Sequence, residues 1–480
     1  MRKAALFLLS ILPLIAPAAE RKPNFLFVFT DDQRWDALGV VQREQGERAR
    51  CPWLETPNMD RLAAEGARFR NAFVTLSLCS PSRAAFLTGR YNHLNGIANN
   101  HTPFPATNVT HASLMRAAGY ATACIGKWHM GAQRGQRPGF DYSASFIGQG
   151  KYQDCLFEVN GESTPTSGWV DDVSTDYAIE FIKKHRDRPF SVVIGFKAPH
   201  APCQPPERAE GRFLDPTLRP VPNLDSLAIY RSAAAARSER VNQPLGGEAS
   251  SPPNYFRCIS AADDNLGRLL QALDDLDLAK DTVVVFASDN GFYKGEHGLG
   301  DKRSAYEESL RIPMIVRYPK LVPKGKALDE IVLNIDLAPT FLDLAGVPIP
   351  AQMQGRSWRP LLTGNAADWR KSFLFEYFLE NGFPGTPTLF GVRTADAKLI
   401  KYPGHDEWTE LFDLVRDPYE TNNLAAVAVQ KDLLTRMQAE FDQQAKATQF
   451  QVPDYADKPR AATQPAAKKG GKKKKQSNEE

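Results

Sequence analysis

The 480-residue chain is poor in histidine and cysteine, with eight and six residues respectively. No two cysteines form a Cys-x-x-Cys pair, which argues against a zinc or thiol redox site. No apolar run beyond the N-terminus is long enough to span a membrane, and no internal repeat is visible. The remaining composition, 42% hydrophobic and 24% charged, is typical of a soluble globular enzyme.

The body of the chain also lacks a strong charge of either sign. The formal net charge is +3, but residues 461–480 contain six Lys and two Glu, and Arg2 and Lys3 add two more positive charges. The sequence between these ends is therefore slightly acidic, whereas nucleic-acid-binding proteins usually have a strongly basic surface. The lysine-rich run predicts a disordered tail at 451–480.

The longest apolar run lies at the N-terminus, from Ala4 to Ile15. It follows two basic residues and precedes the small residues Ala16-Pro17-Ala18-Ala19. This pattern predicts a signal peptide over 1–19, and hence a protein exported to the periplasm or the medium. An uncleaved membrane anchor is the alternative, although the run is short for a stable span.

Apolar runs alternate with helical stretches through the next 340 residues or so, which we assign to one catalytic domain at 20–364. The runs predict strands buried on both faces of a sheet, at Asn24–Thr30, Ala121–Ile125, Phe190–Phe196, Thr282–Ser288 and Ile312–Arg317. The predicted helices are Pro57–Glu65, Ala112–Ala118, Asp172–His185, Tyr255–Leu276 and Ile335–Leu344. This alternation predicts an α/β fold with a large mixed, mostly parallel sheet sandwiched by helices.

Two segments depart from that alternation. Residues 202–253 are rich in Pro, Arg and Ala with weak periodicity, so we predict a long surface loop near the mouth of the site. After Gly364, four short strands and a helix from about Val429 to Ala445 predict a small antiparallel sheet with a packed helix. We assign this subdomain to 365–450.

Polar residues follow two of the predicted buried strands directly. Asp31 and Asp32 end the first strand, and Asp289 and Asn290 follow another. Open α/β sheets place their sites at the carboxyl ends of strands, so these side chains should meet. Oxygen ligands without histidine or thiolate suit calcium or magnesium and not zinc. A plain turn and helix cap is the alternative for either pair.

The stretch from Leu78 to Arg90 predicts a helix that begins beside a cysteine. Pro81 is tolerated in a first helical turn, and Gly89 is a plausible end. Cys79 would then lie beside free N–H groups at the positive end of the helix dipole, where an anion binds. Arg83, one turn further on, could hold the same anion. This arrangement indicates chemistry on a sulfate or phosphate.

The pattern Cys-x-Pro-x-Arg, followed by a helix and Thr-Gly-Arg, resembles the signature of type I sulfatases in the alkaline phosphatase superfamily. The resemblance extends to Gly-Lys-Trp-His at 126–129, Ala-Pro-His at 198–200 and a block at 301–313, and spans roughly residues 23–425. A looser resemblance, at 151–154, 159–161 and 172–177, is to N-acetylglucosamine-6-sulfatases and related glycosaminoglycan sulfatases. The family's fold is the α/β fold predicted above.

The resemblance implies which residues form the site. The cysteine of the signature would be oxidised by a maturation enzyme to formylglycine, whose hydrated aldehyde is the nucleophile. One calcium ion would be bound by Asp31, Asp32, Asp289 and Asn290. The catalytic set would be Cys79, Arg83, Lys127, His129, His200 and Lys302.

The resemblance also implies a role for each catalytic group. Arg83, Lys127 and Lys302 would hold the sulfate, because fixed cations stabilise the charge that grows on the bridging oxygen. His200 would protonate the departing alcohol. His129 would then take a proton from the second aldehyde-hydrate hydroxyl, so that sulfate is expelled and the aldehyde returns. For either histidine taken alone, a structural role is the alternative.

The implied function is hydrolysis of a sulfate ester on a carbohydrate, with 6-O-sulfated N-acetylglucosamine of a glycosaminoglycan as the candidate substrate. An arylsulfatase or another polysaccharide sulfatase is the alternative within the family. A phosphatase or phosphonate hydrolase of the two-zinc type is disfavoured, because His is more common there than Asn at a position such as 290. A non-catalytic binder of sulfated glycans would be expected to lack one of the catalytic residues.

Overall fold

A computed structural model of the chain describes residues 21–214, 216–235 and 252–458. The predicted signal peptide at 1–19 and the last 22 residues of the predicted tail lie outside the described residues. Of the described part of the tail, Tyr455 donates a hydrogen bond to the Asn92 carbonyl at 2.5 Å. Among the described helices, none is long and apolar enough to cross a membrane.

The strands and helices are numbered here in chain order. The strands are β1 Asn24–Thr30, β2 Ala67–Phe73, β3 Ala121–Lys127, β4 Tyr142–Phe146, β5 Phe157–Val159, β6 Glu162–Thr164, β7 Phe190–Gly195, β8 Thr282–Ser288, β9 Met314–Arg317, β10 Lys326–Leu333, β11 Ser372–Tyr377, β12 Leu389–Thr394, β13 Ala397–Lys401 and β14 Glu410–Asp413. The helices are α1 Gly39–Gln45, α2 Pro57–Glu65, α3 Cys79–Thr88, α4 Asn92–Asn95, α5 His111–Ala117, α6 Val170–Lys184, α7 Glu207–Glu210, α8 Ile229–Ala235, α9 Pro252–Asp275, α10 Glu307–Leu310, α11 Leu337–Leu344, α12 Arg359–Leu362 and α13 Lys431–Ala447.

Ten strands form the large sheet, in the order β10-β2-β9-β8-β1-β7-β3-β4-β5-β6. The five central strands from β8 to β4 run parallel, while β9, β5 and β6 pair in antiparallel fashion with their neighbours. This confirms the predicted mixed, mostly parallel sheet. The strand β1 lies at its centre and is buried along its whole length.

Alternate side chains of β1 enter two separate cores. Phe25, Phe27 and Phe29 pack into the core with α3, α5 and α11, whereas Leu26 and Val28 pack into the core with α2, α6 and α9. Because strand side chains alternate between faces, a strand that is apolar on both faces must be covered on both. Burial of each such side chain contributes about 2 kcal/mol.

The smaller sheet is antiparallel, with β11 to β14 paired in chain order and α13 packed against it. This confirms the predicted C-terminal antiparallel sheet and helix. The prediction of a surface loop at 202–253 is wrong for part of the length that the structure describes. Tyr230 in α8 is buried, and the Ala228 N–H donates to the His297 carbonyl at 3.0 Å, because apolar side chains in this segment pack beside the site.

A buried histidine joins the segment after α3 to the small sheet. His93 Nδ1 lies 2.6 Å from a Glu376 carboxylate oxygen, and its Nε2 lies 2.9 Å from the Thr448 carbonyl. Both partners are acceptors, so both ring nitrogens donate and the imidazole is charged. Burial by itself lowers the pKa of His93, but the Glu376 carboxylate outweighs it and the pKa is raised.

We expect His93→Gln to lower the free energy of unfolding by about 3 kcal/mol near pH 5.5, and by much less near pH 9. Because the pKa of His93 is raised in the folded state, its contribution is full below the unfolded pKa of about 6.5 and is lost as pH rises through the folded pKa. Urea denaturation at both pH values measures this, with His405→Gln at a half-exposed position as control. An equal loss at both pH values would contradict the charged pair.

Candidate active site

Cys79 is the first residue of α3, a helix buried at every position. Leu78 before it has extended backbone, and Pro81 occupies the first turn, where its missing N–H costs no intrahelical bond. Gly89 follows the helix with φ of +65°, a left-handed conformation that glycine adopts without strain. The sequence therefore positions Cys79 at a helix N-terminus, where free N–H groups stabilise an anion.

The two acidic pairs meet because β1 and β8 are parallel neighbours in register, with Thr30 opposite Ser288. The Asp32 N–H donates to Asp289 Oδ1 at 3.1 Å, and Asn290 Nδ2 donates to Asp32 Oδ1 at 2.6 Å. One carboxylate oxygen each from Asp31, Asp32 and Asp289 lie within 4.8 Å of one another. All four side chains are almost inaccessible to solvent.

This cluster fits a hard divalent cation. Three buried carboxylates converge, and Asn290 Oδ1 is buried without a hydrogen-bond partner among the described residues. A metal ion that prefers oxygen would satisfy this orphaned acceptor and compensate the carboxylates. The donor set contains no imidazole, so it suits calcium or magnesium better than zinc.

Three buried cations lie against these carboxylates. Arg83 Nη2 is 2.8 Å from Asp289, Lys302 Nζ is 2.7 Å from Asp32, and Lys127 Nζ contacts Asp31. Burial by itself lowers the pKa of Lys302, but the surrounding acidic groups, with Asp32 the strongest, together outweigh it and the pKa is raised well above its usual range. The pKa of Asp31 is likewise lowered despite burial, chiefly by Lys127. The site therefore holds three fixed positive charges at the N-terminus of α3.

His200 lies beside Asp31 and Cys79, and one ligand atom of each of the three residues lies within 4.8 Å of the others. Its Nδ1 is 2.7 Å from the Ala201 carbonyl, so Nδ1 carries a proton, and its Nε2 is 3.8 Å from Asp32 Oδ2. Burial lowers the pKa of His200 to about 4. The two N–H groups of residues 197 and 198 donate to Asp171 at 2.8 and 2.9 Å, which anchors the segment that carries His200.

His129 lies two residues after the end of β3. Its carbonyl accepts a hydrogen bond from Ser80 Oγ, which ties it to the first turn of α3. Its Nε2 lies 3.3 Å from Gln149 Nε2, and Gln149 Oε1 accepts from Lys127 Nζ at 2.6 Å. Every residue predicted for the catalytic or metal site is thus linked to another by a direct contact or through Gln149.

The cluster opens into a cleft of about 630 Å³. His129, His200, Lys302 and Asp32 lie in its wall. The rest of the wall consists of glycine and alanine residues together with polar and aromatic side chains, which include Asn100, His101, Gln149, Arg303, Glu380 and Phe383. The charged and amide groups in this wall can fix the orientation of a charged, hydroxyl-rich ligand by hydrogen bonds.

Sequence reasoning did not identify Gln149, Asn100 or Glu380 as residues of the site. Gln149 follows β4, a five-residue strand whose pattern is too short to recognise. Asn100 Oδ1 accepts from the Ser80 N–H at 3.0 Å, a contact between segments that no local pattern signals. Glu380 follows β11 of the small sheet and reaches the cleft, where it accepts from Arg303 Nε at 2.6 Å.

Comparison with protein families gives two matches. A family model described as Sulfatase matches residues 23–347, and one described as N-sulphoglucosamine sulphohydrolase, C-terminal, matches residues 295–447. The first match contains every predicted catalytic and metal-site residue. The second begins before Lys302 and extends through the small sheet into α13.

Similar proteins are named as sulfatases of several kinds. An N-acetylglucosamine-6-O-sulfatase of Bacteroides thetaiotaomicron is 33% identical, over 90% of this chain and 87% of its own. An N-acetylglucosamine-6-sulfatase of Capra hircus is 26% identical, over 88% of this chain and 83% of its own. A solved structure described as a complex with its substrate D-glucosamine-2-N,6-O-disulfate is 31% identical, with a TM-score of 0.81 and coverage of 91% and 100%.

These matches extend over most of the chain. They agree with the fold, with the acidic cluster at the β1–β8 edge and with the helix that begins at Cys79. The chain belongs to the sulfatase family of sulfuric ester hydrolases.

Proposed function

We propose that this protein removes sulfate from 6-O-sulfated N-acetylglucosamine or a closely related sulfated amino sugar of a glycosaminoglycan. The observation that carries the proposal is the convergence of Cys79, three cations and two histidines on one buried acidic cluster, which opens into the cleft beside His129, His200 and Lys302. Relatives named as N-acetylglucosamine-6-sulfatases, similar over about nine-tenths of the chain, support the choice of sugar. The looser sequence resemblance to that branch points the same way.

Cys79 stands in the structure for the formylglycine that we propose as the functional group. Burial, together with Asp31, raises the pKa of the Cys79 thiol, so it stays protonated and is a poor nucleophile. Oxidation by a maturation enzyme to an aldehyde, once hydrated, supplies one hydroxyl to attack sulfur and a second whose deprotonation allows sulfate to leave. The Sγ atom, 3.5 Å from Asp31 Oδ1, marks where that group begins.

We assign one calcium ion to Asp31, Asp32, Asp289 and Asn290. When bound, such an ion supplies Lewis-acid polarisation of oxygen at the end of residue 79. The orphaned Asn290 Oδ1 and the three convergent carboxylates support this assignment. Because Arg83 and Lys127 already contact two of these carboxylates, they also orient the oxygen ligands.

Arg83, Lys127 and Lys302 bind the sulfate group in this proposal. They are buried and already fixed by carboxylates, so they need little reorganisation when charge develops on the bridging oxygen. Lys302 lies in the wall of the cleft and stabilises that oxygen. The N–H groups of the first turn of α3 add a further positive field.

The two histidines divide the proton transfers between them. His200 Nε2 faces the cleft while Nδ1 donates to a carbonyl, so Nε2 can carry a proton only when the ring is charged. The negative charge of a bound sulfate ester favours that charged form, from which His200 protonates the leaving sugar oxygen. His129 takes the proton of the second hydroxyl at residue 79.

The proposal also covers processing and domain organisation. The signal-peptide pattern at 1–19 supports export, with periplasmic or secreted location. We assign the catalytic domain to 20–364, the antiparallel subdomain to 365–450 and a Lys-rich tail to 451–480. Because Glu380 reaches the cleft, the subdomain contributes to the recognition of the sugar.

We expect the purified protein to release sulfate from N-acetylglucosamine-6-sulfate much faster than from the 4-O-sulfated isomer or from an aryl phosphate. Cys79→Ala should lower release by about 10⁴-fold or more, because it removes the attacking group. Ion chromatography of sulfate measures both, with thermal unfolding to show that the variant is folded. Equal release by the variant, or faster hydrolysis of the phosphate ester, would count against the proposal.

Removal of the metal should abolish turnover while leaving the fold intact. We expect dialysis against a calcium chelator to lower kcat by at least about 100-fold, because the oxygen at the end of residue 79 is then no longer polarised by a Lewis acid. Added Ca²⁺ should restore the rate, and Zn²⁺ should not. Full activity at less than 0.1 metal ion per chain by elemental analysis would show that the assignment to Asp31, Asp32, Asp289 and Asn290 is wrong.

His200→Ala should impair sugar sulfates far more than activated aryl sulfates. A sugar alkoxide needs protonation to leave, whereas a nitrophenolate does not, so we expect a loss of about 10³-fold for the sugar and under about tenfold for the aryl ester. Steady-state kcat/KM for both substrates measures the difference. His405→Ala, on the small sheet away from the cleft, is the matched control. Similar losses on both substrates would rule out a proton-donating role.

A further inference from the structure

The side chain of Gln149 lies between two residues to which the proposed function gives separate tasks. Its Oε1 accepts a hydrogen bond from Lys127 Nζ at 2.6 Å, and its Nε2 lies 3.3 Å from His129 Nε2. Gln149 also forms part of the cleft wall. One amide group therefore separates the ammonium that faces the sulfate from the imidazole that takes up a proton.

The chemistry of the two neighbours determines the direction of both contacts. An ammonium only donates, so the amide oxygen must face Lys127, and the NH₂ group is left to face His129. An amide NH₂ only donates, so His129 Nε2 must accept and carries no proton. The neutral ring therefore has its proton on Nδ1, which is buried without a partner among the described residues.

Charged groups around His129 agree with this neutral state. Burial lowers its pKa well below the usual range, and the effect is reinforced by nearby positive charge. The groups that face it are Lys127, Arg83 and His200, which lower the pKa, and Asp31, which raises it. The lone pair of Nε2 is thus basic, and in this structure it accepts from the Gln149 amide.

A second buried lysine fixes the backbone of Gln149. Lys197 is 1% exposed, and its Nζ donates to the Gln149 carbonyl at 2.8 Å while lying 4.8 Å from the centre of the Tyr152 ring. On the other side, Gly150 packs so closely that a Cβ there would lie 2.5 Å from the ring of Phe146. The loop after β4 therefore has little freedom to move the amide away.

We infer that Gln149 is a positioning residue, which holds His129 as the Nδ1–H tautomer with an unprotonated Nε2, so that Nε2 can take the proton of the residue 79 hydroxyl when that hydroxyl replaces the amide as its donor. The inference rests on the proposed function for the identity of the proton that moves. In that step His129 Nε2 gains the hydroxyl proton, the hydroxyl oxygen forms the carbonyl, and the bond from residue 79 to the sulfate oxygen breaks.

Gln149→Glu tests this inference, because it keeps the oxygen for Lys127 and replaces the NH₂ donor by a second acceptor. A carboxylate beside His129 favours the charged ring, so we expect the acid limb of the kcat–pH profile to move up by about one pH unit or more. Gln149→Met, which removes both polar contacts, should lower kcat by about 10- to 100-fold at every pH. Gln153→Met, at an exposed position of the same loop, should leave kcat unchanged.

A merely structural role would lower kcat of Gln149→Glu equally across the pH range, and that result would overturn the inference. Nitrogen-15 NMR of histidine-labelled protein gives a second readout that does not depend on turnover. The inference predicts the Nδ1–H tautomer of His129 in the wild type and the charged ring in Gln149→Glu. An Nε2–H tautomer in the wild type would overturn it. Absence of sulfate release by the wild type would instead reject the proposed function.

Discussion

The pairing of β1 with β8 is the interaction on which the site depends. Because these strands are parallel and in register, the residues after each strand end at the same edge of the sheet, and four oxygen-bearing side chains meet there. Their mutual repulsion is offset by Arg83, Lys127 and Lys302, each of which belongs to a different segment of the chain. The strands β1 and β8 are buried along their whole length and fix the backbone that carries these side chains.

The same arrangement connects the fold to the proposed chemistry. The dipole of α3 and the three cations favour an anion beside residue 79, while the burial that makes this field strong also keeps the Cys79 thiol protonated. A site built to bind sulfate is therefore a poor site for a thiolate nucleophile. This conflict gives a physical reason for a modified side chain, and it is independent of the family resemblance.

Much of this was predictable from sequence because the central strands are long, apolar and followed by polar residues. The prediction for β1 and β8 matched the structure to the residue, and α3 begins at Cys79. Short or half-exposed elements were not predictable: β4, β10 and α8 carry weak patterns and acquire their structure through long-range packing. Gln149 follows the weakly patterned β4, and Glu380 follows the predicted strand β11 but reaches the cleft only through long-range packing, so no local signal could reveal either residue as part of the site.

The proposed chemistry requires residue 79 to act as an aldehyde and not as a thiol. Peptide mass spectrometry across Leu78–Arg90, on protein purified from its native host, distinguishes the two. We expect a loss of about 18 mass units relative to the encoded peptide, for conversion of the thiol to the aldehyde. An unmodified cysteine in a preparation that releases sulfate from N-acetylglucosamine-6-sulfate would contradict it.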